Sequence, residues 1–340
     1  MGNRSALAAI FMRGGTLPSP LALDPEEQRG IESIGGGIAD VKQSLNALDG
    51  SLVLKIIEDG EHKWRFKHPT VRDAFAEIVA SDIELLDIYL RGSSIDRLMG
   101  EVSCGDLGIE GVKVIIPINR YEMVIERFET LDLNRQGTRR RFCWFLSWRC
   151  DRDFLASYLE RHPSFINGLQ VGYYLYAVVD VDVIVRLHQF GLLPEEKRRS
   201  VIVSIMALAV RTPDAGFLNG KYRALFTDGE LDQALASVRN ELLPELENTI
   251  DDWRCNYGDD DPEDHFQPLI EALKSYRNEF STEPDSIQYI TEALEQIEAI
   301  IDELRSEYGS RRDSDFYDDT DRTSIPSASS MRSVFDDVDQ

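Results

Sequence analysis

His68 is the residue of this chain best placed to do chemistry. It follows the alternating run Trp64-Arg65-Phe66 and precedes Val71, Ala74, Phe75, Ile78 and Val79, which recur at helical spacing. Between them stands Pro69. Proline lacks an amide hydrogen and has its φ fixed, so it ends a paired strand and suits the first turn of a helix. His68 therefore falls on the N-terminal lip of a helix, where unpaired amides and partial positive charge gather. An imidazole there could donate to a phosphate or a carboxylate. It could equally cap the helix or pack against it. Both readings stand on the residues alone.

Other chemistry-bearing patterns are weaker. Gly35-Gly36-Gly37 lacks the Lys-Ser/Thr that completes a phosphate loop, and Gly216 to Lys221 has one residue too few between its glycines and ends in Tyr222. Asp259, Asp260, Asp261, Glu263, Asp264 and His265 do not follow a calcium-loop spacing, and a hydrated loop is the expectation. Arg135, Arg139, Arg140, Arg141 and Arg149 cluster, and a solvated helix face accounts for them as well as an anion site does. His162 and His188 read as structural. With no nucleophile elbow, zinc-protease helix or spaced acid pair, no enzyme activity is expected of this chain alone.

The elements that position His68 can be read locally. Leu52 to Ile57 is an apolar-rich strand pattern, and Asp59-Gly60 is a hairpin turn signal. On the return strand Trp64 and Phe66 alternate with Lys63, Arg65 and Lys67, which gives one dry and one basic face. Upstream, Ser5 to Phe11 is a short helical run and Leu17 to Pro20 a linker-like turn. Asp24-Pro25-Glu26-Glu27 starts a helix, and Ile38 to Leu48 is a second. Downstream come a helix Ile83–Leu90, a strand-like run 112–117 and a helix Arg120–Thr130. From Arg139 the pattern is helical: helices around Phe142 and Phe154, a buried helix Tyr173–Phe190, one from Pro194 to Val210, and one from Asp228 that Pro244 should kink. Phe266–Phe280 and Ser286–Tyr308 complete the set. The expected fold is mainly α: a winged-helix-like domain over 1–80, a connecting helical region 81–134, a helical array 135–308 and a disordered acidic tail 309–340.

Phe66-Lys67-His68-Pro69-Thr70-Val71-Arg72-Asp73-Ala74-Phe75 resembles the end of the winged-helix domain of STAND-class NTPases, in wording closest to bacterial members of conflict and defence systems. His68, Val71, Arg72 and Asp73 match the family pattern, while Lys67 and Pro69 stand where plant members have Met and Asp. The resemblance runs over about the first 130 residues. It implies that His68 touches the β-phosphate of bound ADP and holds a switch off. No P-loop is present, so ATP or ADP enters only if an ATPase core is joined to this chain. The chain then reads as the non-catalytic regulatory or sensor portion of such a machine, with the helical array binding a trigger or protein partner. A winged-helix DNA-binding regulator and a free-standing interaction adaptor are the alternatives.

The totals narrow the classes. The chain has 340 residues, with 37 Lys and Arg against 61 Asp and Glu, a net charge of −24. That much negative charge repels a phosphate backbone, and the second helix offers only Lys42 beside Asp40 to a DNA groove, so nucleic acid is disfavoured. Cys104, Cys143, Cys150 and Cys255 form no C-x-x-C pair, and Cys143 and Cys150 read as core residues. No stretch is apolar for long enough to span a bilayer, so a cytoplasmic protein without a membrane partner is expected. In the tail, Val334, Phe335 and Val338 fall at helical spacing among acids, as in a segment that folds into a partner's groove.

Overall fold

The computed structural model describes residues 2–33, 35–112, 114–175, 179–258 and 261–318, with the side chains of 33 and 307–318 set aside. The protein is mainly α, and its residues gather into two compact units, 1–212 with 216–234 and 213–215 with 235 onward. The first unit runs through residues 80 and 134 without a break.

The first unit begins with α1 (Gly2–Met12), β1 (Thr16–Pro18), α2 (Pro25–Ser33), α3 (Ile38–Leu48), β2 (Val53–Glu58) and β3 (Glu61–Phe66). The strands form one antiparallel sheet in the order β1-β3-β2. That order of elements and strands is winged-helix topology. The expected helical run forms here, and the expected linker-like turn is corrected. The run Ser5 to Phe11 belongs to α1, the first helix of the domain, with Ala6, Ala9 and Ile10 fully buried. The supposed linker Leu17–Pro20 begins inside β1, where Leu17 pairs with Trp64. Pro18 is tolerated because β1 is an edge strand.

The hairpin forms as its turn signal predicts. Glu58 faces Glu61 in register, and Asp59 and Gly60 both have positive φ, 53° and 76°. Two left-handed residues define the turn whose twist matches the flanking strands. Trp64 and Phe66 are buried and Arg65 is exposed, so the strand has its dry face and its charged face. Phe66 reaches Phe75 of α4 (Pro69–Ser81). Phe75 in turn meets Phe11, and Phe11 meets Tyr89 of α5 (Ile83–Gly92). Each such ring is worth roughly 1.5–3 kcal/mol of burial, so this aromatic chain ties wing, first helix and following helices into one core.

The rest of the unit is α6 (Ile95–Glu101), β4 (Val102–Cys104), β5 (Val114–Ile116), α7 (Tyr121–Phe128), α8 (Gln136–Trp148), α9 (Arg152–Arg161), α10 (Val179–Gln189), α11 (Glu195–Arg211), α12 (Gly220–Arg223) and the start of α13 (Asp228–Ser237). β4 and β5 pair in parallel, and Cys150 adds a bridge to Cys104. Phe142 and Phe145 of α8 pack edge-on against Phe128 of α7. The buried helix expected from Tyr173 does not include that residue, which is 84% exposed, and is described from Val179.

In the second unit the strain of Pro244 is resolved by a wide turn over Val238–Leu242 and a tight one over Leu243–Glu245, after which α14 (Leu246–Cys255) resumes. α15 (Pro262–Glu279) and α16 (Pro284–Asp318) follow. Phe266, Leu269, Leu273 and Tyr276 are fully buried, as are Ile290 and Ile297 of the stripe on α16. α16 continues past the expected end at Tyr308, since no proline interrupts it before Asp318. Residues 319–340, with most of the expected tail, lie outside the described residues.

Candidate functional site

The site is built where β3 hands over to α4. His68 is the N-cap of α4, extended at φ −140° and ψ 146°, with Pro69 in the first turn. Its Nδ1 accepts from the Thr70 amide at 3.3 Å and lies 2.8 Å from Thr70 Oγ1. A ring nitrogen that accepts carries no proton, so the neutral ring holds its hydrogen on Nε2. The side chain is exposed, and Nε2 has no partner among the described residues. The imidazole thus caps the helix with one nitrogen and presents an N–H donor to solvent with the other. The two sequence readings of His68 are compatible.

One turn into α4, Arg72 reaches across to Glu101 at 3.0 Å. The same carboxylate oxygen of Glu101 also accepts from Arg97, and its other oxygen accepts from Tyr89 at 3.1 Å. Two guanidiniums share one carboxylate, and the Nε atoms of Arg72 and Arg97 are buried without a hydrogen-bond partner. The cluster carries one positive charge more than it neutralises. Burial, with Glu101 beside it, pushes the Tyr89 hydroxyl far above its usual range, so it acts only as a neutral donor.

Arg97 also lines a cleft of about 440 Å³ together with Arg13, Thr16, Glu27, Lys63 and Ser94. Met12, at the end of α1, and Leu17 and Pro18 of β1 also line it. Gly14 has φ 89°, a left-handed conformation that favours glycine, and a Cβ there would displace the flexible end of the Arg97 side chain. Arg13 grips Glu27 through two bonds of 2.6 Å, and this pair raises the Arg13 guanidinium above its usual range. Glu27 is itself committed to the cap of α2, accepting from the Asp24 amide at 2.9 Å. Lys63 is drawn to Glu58 at 3.1 Å. Of the three cations in the cleft, then, two are held by carboxylates and Arg97 shares its own with Arg72.

No protein-family model, no curated protein and no solved structure matches the chain.

The other residues singled out by sequence separate. The arginine cluster is dispersed: Arg139 bonds Asp180 at 2.6 Å, Arg141 meets Asp96 at 3.2 Å, and Arg135 is a solvent-exposed pair with Asp132. Arg149 bonds the Val102 carbonyl at 3.1 Å. Asp261 caps α15, and His265 Nε2 lies 2.9 Å from the Trp253 carbonyl, while Asp259 and Asp260 lie outside the described residues. Among the described residues no cluster of His, Cys, Asp and Glu could hold a metal ion. No helix among them is long and apolar enough to cross a membrane. Arg72, Arg97 and Glu101 escaped the sequence reading as a cluster because Arg72 and Glu101 lie 29 positions apart. The Arg97-to-Glu101 spacing of one helical turn was the available signal.

Proposed function

We propose that this chain is the regulatory portion of a STAND-type NTPase, acting on an ATPase core joined to it or supplied by another chain. The winged-helix end contacts the phosphate of the core's ADP through the Nε2–H of His68, and the helical remainder binds a protein partner that reports the trigger. One observation carries the reading: an exposed imidazole at the handover from wing to helix, with its inner nitrogen spent on the cap and its outer N–H free to donate. The surplus positive charge of the Arg72–Glu101–Arg97 cluster, which Arg72 enters one turn after His68, supports it, because an anion is the missing partner there. Catalysis is assigned to the core and none to this chain.

The DNA-binding reading is less favoured by the geometry. Lys63 on the wing is drawn to Glu58 and Asp59, and the exposed face of α3 has Lys42 beside Asp40. The test is a fusion of a STAND P-loop core ahead of Gly2. The purified fusion should retain ADP through gel filtration, and His68→Ala should release it. ADP retained equally by both proteins removes His68 from the site.

A further inference from the structure

The outer face of α8 sets exposed indoles among cations. Trp144 and Trp148, one turn apart, are 42% and 52% exposed. Arg140 and Arg141 precede them on the same side of the helix, where residues three and four apart are neighbours. The Arg149 guanidinium lies 5.2 Å from the Trp144 ring, and Lys221 Nζ lies 5.3 Å from the Trp148 ring. Beside Trp148 opens a pocket of about 160 Å³ lined by Arg186, Gln189, Asp182 and Lys221. That is well under the roughly 300 Å³ of ordinary small-molecule sites, and suits one inserted side chain.

The charges on this face stand out by burial. Acids outnumber bases 61 to 37 in the chain, and exposed arginines such as Arg65 and Arg277 can stay unpaired in water at little cost. Arg141 and Lys221 pair with Asp96 and Asp182. Arg140, Arg149 and Arg186 form no ion pair among the described residues. Arg149 and Arg186 are half-buried, bond only carbonyls, and each keeps a buried Nε without a partner. Burial lowers the pKa of both guanidiniums, and Glu101 acts on Arg149 and Asp151 on Arg186 only from beyond ion-pair distance, so a carboxylate brought into contact with them would be favourable.

We propose that the outer face of α8, with the pocket beside Trp148, docks an acidic peptide segment anchored by one aromatic or large aliphatic side chain. The carboxylates supply the counter-ions of Arg140, Arg149 and Arg186. The anchor enters the pocket against the Trp148 ring, as buried aromatics do at the centre of peptide interfaces. A protein segment fits better than single-stranded nucleic acid. Arg149 and Lys221 already lie against the two indoles on which bases would stack, and Asp96 and Asp182 interrupt a track of phosphates. The proposal rests on the partner-binding half of the reading above and not on His68.

The test is fluorescence anisotropy with the full chain and a set of fluorescein-labelled acidic octapeptides. Each carries Phe, Trp or Leu at one position; controls are all-acidic peptides without an apolar residue, neutral peptides with one, and oligo-dT. Anchored acidic peptides should bind, with affinity falling as salt rises. Arg140→Glu, at an exposed position that should not disturb folding, should weaken binding at least tenfold, and Trp148→Ala similarly. Four results overturn the proposal: no acidic peptide binds at low salt; neutral peptides bind equally; a folded Arg140→Glu protein binds as the parent does; or oligo-dT binds more tightly with the same sensitivity to the variants. ADP retention by the core fusion is a separate readout, so either idea can fail without the other.

Discussion

His68 holds two jobs on two nitrogens, and substitution separates them. His68→Ala removes the cap and should lower stability by about 1 kcal/mol. His68→Asn keeps a capping oxygen but lacks the outward ring N–H in that position. It should restore the urea midpoint of the parent while ADP retention by the core fusion stays lost. Recovery of retention by Asn would mean that the cap alone matters. A second residue-scale case lies in Arg198, which is 6% exposed and grips both Glu195 and Glu230. The hydrogen bond from Arg198 holds the Glu230 carboxyl down at about 2. A carboxyl depressed in the folded state stabilises fully above its unfolded value near 4.3, and that stability is lost as pH falls from there toward 2. Stability differences between the parent and Glu230→Gln should therefore be largest above pH about 4.5 and shrink through that window. A difference that does not change with pH would contradict the assignment.

At the scale of elements, the wing shows what local chemistry can specify. Asp59-Gly60 names its own turn, because two consecutive positive-φ residues are acceptable to few other pairs. Gly60→Ala should cost about 1–2 kcal/mol from the left-handed conformation, since a Cβ there meets nothing within 4 Å and only φ opposes it. A variant as stable as the parent in urea would show that the turn relaxes to another type. Elements that hold themselves by local signals were legible in the sequence: the hairpin, α3 at its full extent, the cap of α2 by Asp24, and the break at Pro244. Elements that exist only through distant partners were not. β1 is three residues ending in proline, and it is a strand because β3 lies beside it. β4 is equally short and went unread, and although β5 was legible in the run 112–117, its parallel pairing with β4 was not. The site divides the same way. His68 could be read from Pro69 and the helical spacing after it, whereas the Arg72–Glu101–Arg97 cluster needs three elements brought together. The arginines after Asn134 were visible as a group, but which of them lack a counter-ion depends on Asp96 and Asp180, far away in the chain.

At the scale of the whole molecule, net charge and ion pairs pull against each other, and their sizes decide the outcome. Exposed pairs such as Arg254–Glu303 and Arg305–Glu263 contribute little and weaken with salt. The net charge of −24 acts along the whole chain and is relieved by salt, because screening shortens the reach of repulsion among 61 acids. Repulsion should win. Raising NaCl from about 10 to about 150 mM should raise Tm, with most of the gain below about 100 mM, where the screening length is still falling through the spacing of surface charges. A Tm that falls over that range would mean that the ion pairs dominate. The same competition bears on the face of α8: peptide binding there should weaken over the same salt range that stabilises the fold, because its cations attract a partner against the field of the whole chain.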